Sequence, residues 1–340
     1  YIKRVSMKSY TSSNGDETTL KPGDYLKYLF EVSTLDNLVI FTNLGQYLYV
    51  PVHTIFEGKW KDLGKHINNL VTGLSESEYI VGAFILKNPE EKITFVTKNG
   101  LVKQSILKDF VVSRYSKAML AFKLKDNDEV IAVNQSKPRT VLISEAGYYV
   151  NIDTEEIPVV GARASGVRGM NLKDDVLAAG LSLDSSEYLS IFTNNKTAKR
   201  VKVNELETHN RAKKGSTLIK KVKSFDYKII KALLTDGKDE LFLKCDNEIT
   251  KIKNTDISIL DLKSTGGTIS RYKIDDVFTS TVVDSSLKNN KDANEEVKTL
   301  EENTHKVVEE IQESEIEEKK EEKPKEEQVS LNDFFDEFKI

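Results

Sequence analysis

One short pattern recurs five times along the chain and limits the folds that the chain can adopt. Each copy is an apolar run followed by a turn, usually with a hydroxyl residue between them, and the copies span residues 39–45, 94–100, 141–147, 190–196 and 241–247. The aligned positions are 42, 97, 144, 193 and 244, so successive copies lie 55, 47, 49 and 51 residues apart. Apolar runs bounded by Gly or Asn indicate β-hairpins, and Asn99-Gly100 is a tight-turn signal. A β-rich repeat of this length predicts a propeller-like ring of four-stranded blades.

The first residues resemble part of a further repeat. Tyr1-Ile2-Lys3-Arg4 is similar to Leu101-Val102-Lys103-Gln104, the strand that follows the turn glycine Gly100. Because Tyr1 is not an initiator methionine, we expect the chain to be cut from a longer protein, with its first repeat lacking a strand. The sequence therefore predicts an all-β, six-repeat domain over residues 1–283.

Charge divides the chain into a basic body and an acidic tail. Residues 284–340 contain 19 acidic and 9 basic side chains, a net charge of −10, which leaves +6 for residues 1–283. Residues 284–327 are dominated by Lys, Glu and Asn, and such a composition predicts an acidic low-complexity linker that is disordered or partly helical. A basic body indicates a polyanionic partner such as nucleic acid, and a solvated lysine-rich surface is the alternative.

Other kinds of site find little support in the sequence. Cys245 is the only cysteine, so an internal disulfide is impossible and a reducing compartment is expected. The four histidines lie far apart, and no zinc-ligand spacing occurs. We therefore expect no metal, no cofactor and no catalytic residue within this chain.

A second signature follows each hairpin, where a loop combines cationic side chains with glycine. Examples are Trp60–His66, Arg114–Lys117, Arg163–Gly169, Arg211–Gly215 and Lys263–Gly267. Glycine allows a ligand to approach the backbone, and Lys and Arg supply charge for phosphates. On a ring of blades, equivalent loops line up along a rim. The predicted DNA-binding residues are Lys3, Arg4, Lys103, Arg114, Lys117, Arg163, Arg168, Lys199, Arg200, Arg211, Lys213, Lys214, Lys220 and Lys221.

These motifs together resemble the C-terminal β-pinwheel of bacterial type IIA topoisomerase A subunits. The similarity covers residues 1 to about 283, and Tyr1–Arg4, Trp60–Gly64 and Arg163–Gly169 are closest to the topoisomerase IV branch. The resemblance implies a non-catalytic domain that binds and bends duplex DNA without sequence preference, with strands exchanged between neighbouring blades. It presents DNA to a breakage-reunion core whose active-site tyrosine lies outside this chain.

The resemblance also implies a setting for the parent enzyme. That enzyme is an ATP-dependent isomerase that decatenates and relaxes DNA during chromosome segregation. It uses ATP and Mg²⁺, and it is cytoplasmic and nucleoid-associated. Its partners are duplex DNA, the B subunit of topoisomerase IV and a second copy of the A subunit.

One departure separates the two branches of this family. Gyrase A subunits carry a Gln-Arg-Arg-Gly-Gly-Lys-Gly box in the first blade, whereas the corresponding region here, residues 9–25, has none. This favours the topoisomerase IV branch over a gyrase with an eroded box. A propeller-like protein-interaction module whose basic rim binds an acidic partner is the alternative from a different class.

The last residues, 328–340, regain hydrophobicity. Gln328, Leu331, Phe334 and Phe335 resemble a sliding-clamp-binding peptide, although the usual bacterial motif is tighter. A terminal segment that packs on its own pinwheel is the alternative.

Overall fold

The computed structural model describes residues 1–14, 16–125, 127–183, 185–245, 248–279 and, for the backbone, 282–283. Tyr1–Val283 forms one compact unit. The predicted linker 284–327 and the terminal peptide with Gln328, Leu331, Phe334 and Phe335 lie outside the described residues. Within the described part, no helix is long and apolar enough to cross a membrane.

Nearly all of the regular secondary structure in the described chain is β-strand. Its one α-helix is α1 (Met7–Thr11). The strands are β1 (Tyr28–Leu29), β2 (Asn37–Thr42), β3 (Gln46–Pro51), β4 (Ile80–Ile85), β5 (Lys92–Thr97), β6 (Leu101–Ile106), β7 (Met119–Leu120), β8 (Val130–Gln135), β9 (Arg139–Ser144), β10 (Tyr148–Asp153), β11 (Val167–Arg168), β12 (Leu177–Leu183), β13 (Tyr188–Thr193), β14 (Thr197–Lys202), β15 (Ser216–Thr217), β16 (Ile229–Thr235), β17 (Glu240–Cys245), β18 (Glu248–Lys253), β19 (Gly267–Thr268), β20 (Asp276–Thr279) and β21 (Val282–Val283). Short 3₁₀ turns are Val52–Thr54, Ile67–Asn69, Leu107–Phe110, Thr154–Glu156, Val203–Glu205 and Asn254–Asp256.

The strands form five blades, each built on one of the repeated hairpins. The strand orders are β4-β2-β3-β7, β8-β5-β6-β11, β12-β9-β10-β15, β16-β13-β14-β19 and, for the three-stranded fifth blade, β20-β17-β18. In the first four blades the last strand of this order comes from the following repeat. These two-residue outer strands are β7, β11, β15 and β19, so neighbouring blades exchange strands as the pinwheel resemblance implies.

The repeated hydroxyl residue closes the turn of each of the first three hairpins. The Thr97 hydroxyl accepts the backbone N–H of Leu101 at 3.0 Å, and the Ser144 hydroxyl accepts that of Tyr148 at 3.1 Å. The turn glycines Gly100 and Gly147 have φ of +82° and +87°, in the left-handed region that glycine enters without strain. The sequence prediction of tight hairpins at these positions is confirmed.

Blade-to-blade packing explains why the hairpin strands are continuous apolar runs. In β2, Val39 and Phe41 belong to a core shared with the second blade, whereas Leu38 and Ile40 face the core on the opposite side. Phe41 is fully buried, with edge-to-face contact to Phe95 of the second blade at 5.1 Å between ring centroids. A strand covered on both faces needs apolar residues at successive positions rather than at alternate ones.

The number of blades corrects the prediction of six. The first residues form no sheet of their own, because the described residues 5–14 and 16–27 supply α1 and irregular segments rather than hairpin strands. Ile2–Arg4 instead pairs with the second repeat: the N–H of Ile2 donates to the carbonyl of Lys65 at 2.8 Å, and that of Arg4 to Phe56 at 2.9 Å.

The segment 25–29 links the last blade to the first. β1 pairs in parallel with β21. The ring of Tyr25 stacks on Phe278 of the fifth blade, with 3.6 Å between centroids. The Lys27 ammonium donates to the carbonyl of Ile80, in the first blade, at 2.6 Å.

Candidate nucleic-acid interface

The cationic loops occupy equivalent places in five repeats. We call them the rim loops: residues 60–64, 114–118, 162–166, 211–215 and 262–266. The last four each lead directly into an outer strand, β7, β11, β15 or β19. The first leads into Lys65, which pairs with Ile2 as the outer strands pair with their blades.

Glycine at the end of a rim loop serves packing of the chain against itself. A Cβ on Gly215, whose φ is +81°, would lie 1.8 Å from the Tyr149 carbonyl oxygen. A Cβ on Gly166 or Gly266 would lie 2.7 Å from a backbone carbonyl of the neighbouring blade strand. The expectation that these glycines admit a ligand is therefore corrected: they admit the adjacent strand.

Successive rim loops are joined by backbone hydrogen bonds. Each link runs from the segment after one outer strand to the next loop. The four links are Thr72 N–H to Ser116 O at 3.0 Å, Lys123 N–H to Ala164 O at 3.3 Å, Asn171 N–H to Lys213 O at 2.9 Å and Lys220 N–H to Lys263 O at 3.0 Å. The rim loops thus form one continuous belt around the blades.

Three predicted DNA-binding lysines hold this belt from inside. Lys103 and Lys199 are 0% and 1% exposed. The Lys199 ammonium donates to the carbonyls of Leu218 and Leu262, both at 2.6 Å, and Lys103 donates to those of Ala121 and Gly161 at 2.7 and 3.2 Å. Lys3, half-buried, donates to Trp60 O at 2.6 Å.

Burial changes the chemistry of these lysines. It lowers the pKa of Lys199 to about 7 and that of Lys103 to about 8, since the charged form loses its hydration. It also lowers the pKa of Lys3. Lys103 and Lys199 present no exposed charge to a phosphate, so their assignment to the DNA-binding surface is corrected. Their sequence pattern did not reveal this, because a lysine in a strand looks the same in sequence on either face.

The guanidinium groups predicted beside these lysines are also held by the backbone. Arg200 is 7% exposed, and its Nε donates to Ile257 O at 2.7 Å. Arg4 makes the equivalent bond to Ile55 O at 2.9 Å and an ion pair with Glu57 at 2.6 Å. The assignment of Arg200 to the DNA-binding surface is corrected for the same reason as that of Lys103 and Lys199, because Arg200 is buried. Arg4, in contrast, stays partly exposed to solvent.

The remaining predicted residues lie on the belt or beside it. Arg211 is half-buried and donates to the carbonyl of Arg168 at 2.7 Å. Arg163 and Ala212 occupy the same place in successive loops with φ of 65° and 61°. Such left-handed non-glycine residues concentrate at functional loops. The exposed predicted residues are Arg114, Lys117, Arg163, Arg168, Lys213, Lys214, Lys220 and Lys221.

A groove of about 580 Å³ opens beside the belt between the fourth and fifth repeats. We call it the lysine groove, and it is lined by parts of 144–148, 170–176, 214 and 219–228. Its exposed cations are Lys173, Lys214, Lys220, Lys221, Lys223 and Lys228. Of its carboxylates, Asp175 is occupied by the backbone N–H groups of Ala146 and Val176. Three further carboxylates, Glu145, Asp174 and Asp226, line it, so cations predominate.

Sequence reasoning missed three of these lysines: Lys173, Lys223 and Lys228. Lys223 and Lys228 follow the dense run that contains Lys220 and Lys221, so extending the basic cluster to residue 228 was the available signal. Lys173 comes from another loop, and only the fold brings it to the groove.

The arrangement suits contact with phosphates. Exposed cations are spread over several blades, and the described residues contain no group of three or more His, Cys, Asp or Glu that could hold a metal ion. Distributed lysines and arginines bind the phosphate backbone without reading bases.

Comparison with known proteins places this fold in a class. The family profile described as "DNA gyrase C-terminal domain, beta-propeller" matches residues 36–87, 91–137, 140–182 and 187–236, more than half of the chain. The chain belongs to this family of DNA topoisomerase C-terminal domains.

Within that class the chain is similar to topoisomerase IV proteins. It is 38% identical over 245 residues to the A subunit of DNA topoisomerase 4 from Bacillus subtilis, covering 71% of this chain and 30% of the relative. It is 33% identical to the Staphylococcus aureus protein, covering 70% and 30%. The chain therefore spans about a third of the length of these curated relatives.

Solved structures agree with this placement. The crystal structure of the C-terminal domain of DNA topoisomerase IV matches with a TM-score of 0.77 and 33% identity, over 82% of this chain and 90% of that one. A DNA gyrase A C-terminal domain matches with a TM-score of 0.60 and 19% identity, over 82% and 96%, and supports the fold alone. The predicted resemblance to the type IIA topoisomerase pinwheel, and to its topoisomerase IV branch, is confirmed.

Proposed function

We propose that this domain binds duplex DNA without sequence preference and bends it along the belt of rim loops. The observation that carries the proposal is the continuity of the belt. Four backbone links join loops whose exposed cations include Arg114, Arg163 and Lys213. A duplex following the belt meets charge in successive repeats, as a curved path requires.

The energetics favour such a distributed surface. Bending 20–30 base pairs by 40–90° costs on the order of 1–6 kcal/mol. No single loop offers enough phosphate contacts to offset that cost, whereas several loops acting together do. The lysine groove supplies the densest charge along the path.

We further propose that the domain serves an ATP-dependent strand-passage enzyme that decatenates and relaxes DNA. ATP and Mg²⁺ would act in that enzyme outside this chain. Its partners would be the B subunit of topoisomerase IV and a second copy of the A subunit, and it would act in the cytoplasm at the nucleoid. The similarity to topoisomerase 4 A subunits supports this setting.

For the terminal peptide we propose a separate role. Gln328, Leu331, Phe334 and Phe335 would dock on a sliding clamp, with Gln328 orienting the apolar anchors. The motif in the sequence supports this proposal.

Fluorescence anisotropy with labelled duplexes of unrelated sequence tests the DNA proposal. The full chain is expected to bind them with similar affinity. Replacement of Arg163, Lys213 and Lys214 by Gln should weaken binding to all of them by about tenfold or more, at roughly 0.5–1 kcal/mol per lost phosphate contact in line with exposed ion pairs. Replacement of Lys92, Lys202 and Lys253, exposed at hairpin ends away from the repeated turns, is the matched control. Equal weakening by both triples would contradict the belt, and failure to bind duplex at all would reject the function.

A further inference from the structure

The loop between β15 and β16 carries an exposed apolar tip. It spans residues 218–228 and is the longest of the four loops that follow outer strands. Val222 and Phe225 pair across its tip as an isolated antiparallel bridge. The two residues are 38% and 39% exposed, so each presents apolar surface to solvent beside the cationic rim loops.

The base of this loop is fixed to the body. Asn194 makes two hydrogen bonds with the backbone of Lys228: its N–H donates to the Lys228 carbonyl at 3.0 Å, and its side-chain oxygen accepts the Lys228 N–H at 2.9 Å. The Tyr227 hydroxyl accepts from Asn195 at 2.9 Å. Tyr227 in turn packs edge-to-face against Phe225, with 5.0 Å between centroids. The Phe225 ring is therefore held in place by Tyr227, which is itself hydrogen-bonded to the body of the domain.

Four lysines flank the tip, and Asp226, next to Phe225, is the one carboxylate of this loop. Lys220, Lys221 and Lys223 precede Phe225, and Lys228 follows it, all exposed. The backbone of Lys220 forms the last link of the belt, so a duplex on the belt passes next to this loop. A protein partner with a wholly apolar surface would have to desolvate these four ammonium groups, whereas DNA phosphates would neutralise them.

We propose that Phe225 is a wedge that inserts between base pairs of the bound duplex and kinks it. This inference rests on the proposed DNA-binding function and assigns the bend to a site. Apolar side chains that enter a base step unstack it and bend the helix, while flanking cations hold the phosphates on either side. The rigid support from Tyr227 keeps the ring in place for insertion, and Val222 fills space beside it.

The test compares the full chain with its Phe225→Ala variant. The probe is a duplex of about 30 base pairs, labelled at both ends for energy transfer and containing thymines throughout. Permanganate, which attacks unstacked thymines, reports insertion, and energy transfer reports the bend. Leu35→Ala is the control, because Leu35 is 87% exposed and lies in the turn before β2, at the hairpin end away from the repeated turn.

For the unaltered chain and Leu35→Ala we expect raised permanganate reactivity and higher end-to-end transfer on binding. Phe225→Ala should return reactivity to that of free DNA and reduce the transfer, while its Kd changes by less than about threefold because phosphate contacts dominate affinity. Binding with an unchanged bend and unchanged reactivity in Phe225→Ala would overturn the wedge and leave the binding function standing. Absence of binding by the unaltered chain would overturn the binding function itself.

Discussion

Replacing Lys199 by Met should destabilise the domain without removing a DNA contact. Methionine has similar length and no donor, so the substitution leaves the carbonyls of Leu218, Asp261 and Leu262 without the ammonium that they accept from at 2.6, 3.3 and 2.6 Å. Lys199 is 1% exposed, so water cannot easily replace the donor. The side chain ties the strand β14 to the fifth rim loop, and the variant tests that role directly.

The magnitude follows from the number of acceptors. Each buried group that loses its partner costs about 1–3 kcal/mol, and the two short bonds alone give about 2–6 kcal/mol. Methionine also removes the cost of burying the Lys199 ammonium, and this offsets part of the loss. We therefore expect a net destabilisation of about 2–4 kcal/mol. For a domain of this size that corresponds to a fall in Tm of roughly 4–10 °C.

Thermal unfolding and urea denaturation of Lys199→Met and Lys202→Met provide the assay. Lys202 lies three residues further along β14 and is exposed, so its substitution should change stability by less than about 0.5 kcal/mol. A Lys199→Met protein that is as stable as the unaltered chain but binds DNA more weakly would refute the reasoning and return Lys199 to the DNA-binding surface.

The same residue gives a pH dependence with a defined sign. Its pKa is lowered from 10.5 to about 7 by burial, so the unfolded state binds more protons than the folded state between those values. Stability of the unaltered chain relative to Lys199→Met should therefore rise as pH increases from about 7 toward 10. If the difference in unfolding free energy between the two proteins does not change with pH, the carbonyl acceptors keep Lys199 charged over this whole pH range.

Three further outcomes are expected. Gly215→Ala should unfold the domain or cost about 3 kcal/mol or more, since the new Cβ meets the Tyr149 carbonyl, whereas Gly237→Ala, with open space around it, should be nearly neutral in a melting experiment. The parent holoenzyme incubated with ATP and relaxed plasmid should introduce no negative supercoils, because the first repeat lacks the glycine-rich basic box; supercoiled product would contradict this. A peptide of residues 323–340 should bind the host sliding clamp, and Phe334→Ala with Phe335→Ala should cost about 2 kcal/mol or more of binding free energy by calorimetry; equal affinity of the double variant would contradict the assignment of these anchors.

The repeated hairpins were predictable because their signal is local. Thr97, Asn99 and Gly100 act within one turn, so their spacing alone places the strands, and five copies suffice to indicate a ring. The exchange of strands between neighbouring blades was predicted only from the family resemblance. Two-residue outer strands such as β11 have no periodicity that a sequence can display.

The site was less predictable because it depends on which face a side chain takes. Lys103 and Arg168 look alike in sequence. However, Lys103 is buried and donates to two backbone carbonyls, whereas Arg168 is exposed. The prediction of six blades was wrong for a related reason. Tyr1–Arg4 has the sequence signature of a strand, but its hydrogen-bond partners lie in the next repeat. Long-range pairing decides both outcomes, and no local pattern reports it.

The salt dependence of duplex binding tests the central claim most directly. The logarithm of the binding constant should fall linearly with the logarithm of salt concentration, by about 0.9 per phosphate contacted. Replacing Arg163, Lys213 and Lys214 by Gln should reduce that slope by about 2–3, since each contributes about one contact, while the control triple at Lys92, Lys202 and Lys253 leaves it unchanged. A slope near zero for the unaltered chain, or the same slope in both triples, would contradict the claim that the belt of rim loops holds DNA.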